Sequence, residues 1–273
     1  MCGEFAGATA SFYAQYRRDV PDTLIGAAVR AADLTGRDVV LDLGCGTGQV
    51  ALALCRHVSA VLAVDPEPHM LAGLRARLAS MRVANVLPVL AADRDLTHTA
   101  TVWGGSLGAV TVANALHWMD SEHVFAQCRA LLRVGGALII ISQGPPMWLS
   151  DSAWSRDLRV LLEQWTGGAA SAMCGTDHRT LQERALGLRQ HGYETVEIVE
   201  HAYENEVDLP YIAGHLCSAM SESTLPAERA AEFEAGLTDA LRPHVHDGPL
   251  IERIEATALI GIAQTASGSN PIS

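Results

Sequence analysis

Asp42-Leu-Gly-Cys-Gly-Thr-Gly48 is the stretch on which the reading of this chain turns. It follows Val39-Val-Leu-Asp-Leu43, a short apolar run that reads as a strand, and precedes residues 50–57, which read as a helix. A glycine loop carries meaning in that setting. Glycines at 44, 46 and 48 lack a Cβ, so the main chain turns sharply and a ligand can lie directly against it. The spacing is GxGxG. A dinucleotide loop, GxGxxG, needs glycine where Gln49 stands, and a phosphate loop needs the ending GK[ST], which is absent. The loop therefore points away from NAD and FAD, and it is no phosphate loop.

Outward from the loop the alternation repeats. Ala60-Val-Leu-Ala-Val64 is a second strand, closed by Asp65 about twenty residues beyond the loop. A carboxylate there accepts charge-assisted hydrogen bonds from both hydroxyls of a ribose. It also suits a helix cap ahead of Pro66 and Glu67. Residues 67–80 are helical, with Met70, Leu71, Leu74 and Leu78 on one face. Residues 86–90, 108–113, 136–142, 193–199 and 257–262 read as further strands, and 121–132 and 180–190 as helices. Such alternation predicts an α/β fold: a Rossmann-like, mostly parallel seven-stranded sheet with helices on both faces.

Two segments break the pattern. Residues 144–178 hold Trp148, Trp154 and Trp165, and residues 202–250 are mostly helical from 209 to 241. Both follow strand ends and are too long for simple connections. Ligands of open α/β sheets sit at the carboxyl ends of the strands, so these segments are expected to form a mainly helical cap there, with padding of the sheet's flank as the alternative. The expected organisation is N-terminal helices over 1–35, a binding core over 36–143, 179–200 and 251–264, and cap insertions over 144–178 and 201–250. Residues 267–273 read as a frayed tail.

At 273 residues, 49% hydrophobic and 18% charged, the chain is long and apolar enough for a sizeable core. A net charge of −12 repels phosphate backbones, and the basic residues are scattered, so nucleic acid is not an expected partner. No window reaches the roughly 18 apolar residues that span a bilayer, and residues 1–19 lack a signal peptide's apolar run. Cys2, Cys45, Cys55, Cys128, Cys174 and Cys217 contain no CxxC and read as buried thiols in a reducing cytoplasm. His244 and His246 are at most half of a metal site, and no metal is expected.

Leu41-Asp-Leu-Gly-Cys-Gly-Thr-Gly-Gln49 and Val64-Asp-Pro-Glu-Pro-His-Met-Leu71 resemble the cofactor half of class I S-adenosylmethionine-dependent methyltransferases. Tyr13-Ala-Gln-Tyr-Arg17 with Pro21, Ala113-Asn-Ala-Leu-His-Trp-Met-Asp120 and Leu131-Leu-Arg-Val-Gly-Gly136 resemble further segments of bacterial small-molecule members. The likeness runs from about residue 5 to 142, with a looser echo to about 262. It implies S-adenosylmethionine as cofactor. The loop at Gly44, Cys45, Gly46 and Gly48 would pass its methionine part, Asp42 would orient its amino group, and Asp65 would hold its ribose beside Pro66 and Met70. Ala92, Asp93 and Arg94 would meet the adenine. Asn114 and Ala115 would line the sulfonium, while Tyr16 and Arg17 would close over the cofactor, Arg17 taking its carboxylate. The chain departs from the family pattern at Gly108-Ala109, where an acidic residue is usual, and at Val134 and Arg18, where prolines are usual.

Methyl transfer from a sulfonium is an in-line displacement that asks mainly for alignment in a dry site. A general base helps when the acceptor is a hydroxyl or an acidic carbon, and His117 is the candidate, with a structural role in the 114–120 turn as the alternative. Tyr13, Trp118, Trp148, Tyr211 and His215 are candidate walls of a substrate pocket, though tryptophans are as often plain core. The expected protein is a monomeric or homodimeric methyltransferase of a small molecule. Two rivals stay open: an enzyme that uses the same cofactor without methylating, and a non-catalytic binder. Asn114-Ala-Leu-His117 stands where enzymes of nucleic-acid amino groups carry an Asn/Asp-Pro-Pro-Tyr segment.

Overall fold

Strand β1 (Val39–Leu43) takes an interior place in a seven-stranded sheet because both its faces are apolar: Val40 points to one layer of helices and Leu41 to the other. A computed structural model describes residues 8–169, 177–220, 224, 227–246 and 248–263. The other strands are β2 (Ala60–Asp65), β3 (Val86–Leu90), β4 (Leu107–Ala113), β5 (Leu132–Gly144), β6 (Tyr193–Val207) and β7 (Leu250–Ala263). Their order is β3-β2-β1-β4-β5-β7-β6, with β7 antiparallel to both its neighbours and the other pairings parallel.

Period-two alternation builds two cores. Ala109, Ile139, Ala258 and Ile260 face α2 (Asp22–Ala31), α3 (Ala51–Leu54) and α4 (Pro68–Met81). Val110, Leu138, Ile140 and Leu259 face α5 (Leu96–Trp103), α6 (Ser121–Leu131) and α8 (His178–Gln190). A third cluster lies off the sheet. It joins Met147, Trp148, α7 (Ala153–Thr166), α9 (Leu209–Ala219) and α10 (Ala230–Leu241) to Val207 and Leu250, where β6 and β7 meet. Helix α1 (Ala8–Tyr16) packs on α9 and α4.

Four expected elements change length, the strand expected over 136–142 running from Leu132 to Gly144. The helix expected over 50–57 is only Ala51–Leu54, because residues 55–57 close in turns, with the His57 amide on the Leu54 carbonyl at 2.8 Å. The strand expected to end at 199 runs on to Val207, and the one expected to begin at 257 begins at Leu250. The two extensions pair with each other past the last β5 partner, Glu255 opposite Gly144, and form a ribbon under the third cluster. Leu250, Glu252, Ile254 and Ala256 make the ribbon's buried row, and a glutamate in that row hides the strand pattern. Residues 267–273, Cys2 and Cys174 lie outside the described residues. No helix among the described residues is long and apolar enough to cross a membrane.

Candidate active site

The chain runs from β1 outward to β3, then returns to β4 on the other side of β1, so a crevice opens past the carboxyl ends of β1 and β4. The glycine loop enters it. Gly44 and Gly46 have φ of +68° and +54°, and a Cβ would lie 2.7 Å from the Ala115 Cβ at the first and 3.2 Å from the Tyr13 ring at the second. A Cβ on Gly48 would meet Leu74 at 2.5 Å. The Gly44 and Cys45 amides donate to the Val64 carbonyl at 2.8 and 3.0 Å. The Cys45 thiol is buried, and burial pushes its pKa well up.

Asp65 ties this loop to β2. Its Oδ2 accepts from the Gly46 amide and its Oδ1 from the Glu67 amide, both at 2.9 Å. Each oxygen keeps acceptor capacity for a further donor. Burial raises the Asp65 pKa while those two amides oppose it. The cap of α4 belongs to Glu67, which accepts from the His69 amide at 3.2 Å.

Asp42 is 1% exposed at the end of β1. Its Oδ1 accepts from the Thr111 hydroxyl at 2.7 Å, and its Oδ2 is buried with no hydrogen-bond partner. Burial, with the Asp65 charge adding, pushes its pKa up to about 7 against the Thr111 bond. A buried acceptor of this kind is satisfied by a donor, best a cation, brought from outside.

On the β3 side the Ala92 amide donates to Asp95 Oδ2 at 2.9 Å. Asp95 thus holds that turn, Asp93 is half-buried within it, and Arg94 is exposed. Met70 is buried on α4 and Pro66 is exposed beside Asp65.

Helix α1 presents two faces. Tyr13 lies on Gly46, and the Arg17 guanidinium carbon sits 5.1 Å from the Tyr13 ring centre, with Nη2 donating to the Ser218 carbonyl at 3.3 Å. Tyr16, one helical turn on, packs on α9: a Cβ on Gly214 would lie 2.2 Å from its ring. The structure therefore sets Tyr13 against the loop, where the resemblance had pointed to Tyr16. Tyr211 and His215 of α9 lie near Tyr16, the Tyr211 ring at 6.3 Å and His215 Nδ1 at 3.3 Å from the Tyr16 carbonyl. Burial, then Arg17 and Arg18, holds the His215 pKa well below its ordinary value. Trp148 is packed into the third cluster, away from the loop.

Past β4, Asn114 takes φ +49° and bridges to β5, accepting from the Gln143 amide at 2.9 Å and donating to Gln143 Oε1 at 3.3 Å. His117 follows in a single 3₁₀ turn, its ring 4.9 Å from that of Trp118, which is 41% exposed. The turn is held without the imidazole: the Trp118 amide donates to Ala115 at 3.0 Å, Asp120 caps α6, and His117 Nδ1 has no hydrogen-bond partner. Burial first, then the guanidinium charges of Arg184 and Arg17, lowers the His117 pKa to about 4, so the ring is neutral at pH 7.

Sequence reasoning missed a second polar group beside the crevice. Arg18, at the family's proline position, forms a buried ion pair with Glu252, its Nε on Oε2 at 3.1 Å. Gln143 donates to Tyr203 Oη at 3.0 Å and to the Asp19 carbonyl at 3.3 Å. Burial alternates strictly over 250–256 and turns Glu252 inward, but the polarity of the sequence there does not alternate and marks no such position. Arg184, which donates to Ser142 Oγ at 3.4 Å, was also missed, because no local motif marks it. Among the described residues no cluster of His, Cys, Asp and Glu could hold a metal ion, and His244 pairs with Asp157 at 2.6 Å.

Residues 40–136 match the family described as "Methyltransferase domain". An uncharacterised methyltransferase of Mycobacterium tuberculosis is 33% identical over 139 residues, which is 51% of this chain and 50% of that protein. The chain thus spans about half the length of the curated relatives it matches. Among solved structures, the YcgJ protein of Bacillus subtilis superposes with a TM-score of 0.56 at 16% identity, covering 90% of this chain and 100% of that one. The [4+2]-cyclase SpnF superposes with a TM-score of 0.52 at 18% identity, covering 90% and 81%. Over residues 40–136 the chain is thus similar to that methyltransferase domain, and the seven-stranded sheet built around those residues has the fold of these solved structures.

Proposed function

We propose that this chain binds S-adenosylmethionine in the β1–β4 crevice and methylates a small molecule, as a monomer or homodimer in the cytoplasm. The observation that carries this reading is the pairing of a Cβ-intolerant glycine cradle with the orphaned Oδ2 of Asp42 beneath it. When bound, the cofactor supplies a methyl group already activated on a sulfonium. The chain's own residues bind and align. The Gly44–Gly46 main chain admits close approach, Asp42 Oδ2 accepts from an ammonium, and Asp65 accepts from ribose hydroxyls. Asp93, with Ala92, Arg94, Pro66 and Met70, borders the base. Asn114 and Ala115 form the floor, Arg17 takes the carboxylate, and Tyr13 covers the loop. His117, neutral and without a hydrogen bond at Nδ1, takes the acceptor's proton. Trp118, Tyr211 and His215 border the acceptor's space, under a cap formed by the third cluster.

Calorimetry tests the first half: S-adenosylmethionine and S-adenosylhomocysteine give heat of binding, and NAD gives none. Tight NAD binding with no response to the adenosyl compounds would overturn it. A second reading, the same cofactor used without methyl transfer, draws support from the cyclase that shares this fold. Product analysis separates the two, since S-adenosylhomocysteine marks methyl transfer and methylthioadenosine marks attack on the aminobutyrate chain.

A further inference from the structure

Helices α1, α9 and α10 enclose a cavity of about 460 Å³, a size usual for small-molecule sites. Phe12 and Tyr16 line it from α1, Leu209 and Cys217 from α9, and Glu234 and Leu237 from α10. No residue assigned above to the β1–β4 crevice is among its described walls. Tyr13 lies on Gly46 instead, and the 3.6-residue repeat carries Tyr211 and His215 round to the other side of α9. The charges around the cavity favour one sign of ligand. Among the described residues no arginine or histidine lines it. Arg17 and Arg18 of α1 reach elsewhere, to the Ser218 carbonyl and to Glu252. Glu234 is exposed at the rim and makes no ion pair among the described residues, whereas Glu232 pairs with Arg229. Its charge still reaches the half-buried Cys217 thiol, whose pKa is raised by burial first and then by Glu234. The carboxylate therefore acts into the cavity as well as on the solvent.

We propose that this cavity is a second binding site, separate from the β1–β4 crevice, for a small molecule with an apolar body and one cationic head, the body lying against Phe12, Leu209 and Leu237 and the head on Glu234. The two ends of such a molecule match the two ends of the cavity. Its apolar part leaves water for a wall of apolar side chains. Its charge stays at the rim, where it keeps part of its hydration and gains an opposite charge, so it escapes the cost of full burial. An anion would meet Glu234 with no cation to offset it, and a net charge of −12 adds to that bias. A neutral molecule fits the walls but leaves the carboxylate unused. The site does not depend on the methyl-transfer reading, because it shares no assigned residue with the crevice.

Cys217, on the cavity wall, is the reporter. The full chain is treated with two methanethiosulfonates of opposite charge, one carrying a trimethylammonium group and one a sulfonate. Modification of Cys217 is followed by peptide mass mapping, and each rate is divided by that of a free thiol. The cationic reagent should be about fivefold favoured, the size of one partly screened charge pair. E234Q changes an exposed residue, so it should melt like the wild type, and it should bring the two reagents within about twofold. Octyltrimethylammonium at about 5 mM should slow Cys217 modification by neutral methyl methanethiosulfonate about threefold or more, while octanoate leaves it nearly unchanged. The proposal is overturned if the charge preference is missing or survives E234Q, or if octanoate protects as well as the ammonium. It is also overturned if S-adenosylhomocysteine protects Cys217 fully, which would make the cavity part of the crevice. A Cys217 that resists all three reagents would overturn it too, by giving the cavity to the chain's own residues or to a second copy. A wild type that ignores S-adenosylhomocysteine yet keeps the cation preference would overturn the cofactor reading and leave this site standing.

Discussion

The β1–β4 crevice and the helical layer over the β6–β7 ribbon satisfy their polar groups in opposite ways. In the crevice, partners lie closer along the chain: Glu67 and Asp65 are two residues apart, Gly46 and Asp65 19, and Thr111 and Asp42 69. Even so, polar atoms are left over, Asp42 Oδ2 and His117 Nδ1 among them. The helical layer is pinned by distant pairs: Arg18 to Glu252 across 234 residues, Arg17 to the Ser218 carbonyl across 201, and Trp154 to the Ile251 carbonyl across 97. The layer too leaves atoms over, Trp148 Nε1 and Tyr211 Oη, so the two regions differ in the reach of their pairs rather than in completeness. Stability should therefore reside in the long-range pairs, and binding in the local ones.

The largest expected effect breaks the second region. Glu252 is 1% exposed, and removing it strands the Arg18 guanidinium. E252A should lose about 3–5 kcal/mol in urea unfolding at neutral pH, while R18L/E252L, which removes both charges, should recover most of that loss. An E252A protein within about 1 kcal/mol of the wild type would erase the contrast.

The crevice should show the reverse split. D65N keeps an acceptor for only one of the Gly46 and Glu67 amides and loses the charge, so S-adenosylhomocysteine affinity should fall about 100-fold by calorimetry, with unfolding shifted by only about 1–2 kcal/mol. Equal losses in both measurements would make Asp65 a structural residue like Glu252.

Asp42 sharpens the distinction, because its two effects have opposite signs. Its folded pKa of about 7 lies above the ordinary 3.8, so the folded state binds the extra proton between those values. Stability is then lost as pH rises through 7. D42N avoids that loss and should be more stable than the wild type by about 1 kcal/mol at pH 8. The same change removes the partner proposed for the ammonium, so S-adenosylhomocysteine should bind about tenfold more weakly. A variant that loses both stability and affinity would show that Asp42 matters through the bonds it already makes, to the Thr111 hydroxyl and the Ala51 amide.

The same contrast decides what the sequence reveals. The crevice is written in one contiguous loop and two strand ends, so its fold, its switch point and Asp42, Asp65, Asn114 and His117 can be read directly. Tyr13 and Tyr16 were harder: one helical turn of α1 separates a residue on the loop from one on α9, and only the position of Gly214 tells them apart. The ribbon was misread because a charged residue in a buried row looks like a surface break until its partner is known, and Arg18 lies far away in sequence. Arg184 escaped for a related reason. Its stripe on α8 reads as an ordinary amphipathic helix, and its meaning comes from Ser142 on another element.

The smallest expected effect compares two histidines, one from each region. His117 and His215 are both held below the ordinary imidazole pKa, chiefly by burial. For such a group the unfolded chain takes up a proton as pH falls below about 6.5 while the folded chain does not, so stability drops from there toward the folded pKa. His215 is 4% exposed, so its share should be the larger one, although its bond to the Tyr16 carbonyl works against the shift. His117 is only partly buried, and solvent screening reduces its share to below about 1 kcal/mol. Unfolding measured at pH 7 and pH 5 should show the acid-induced loss shrinking more in H215Q than in H117Q. If H117Q removes more of it, the crevice is drier than its partial exposure implies, and the imidazole beside Trp118 is the better buried of the two.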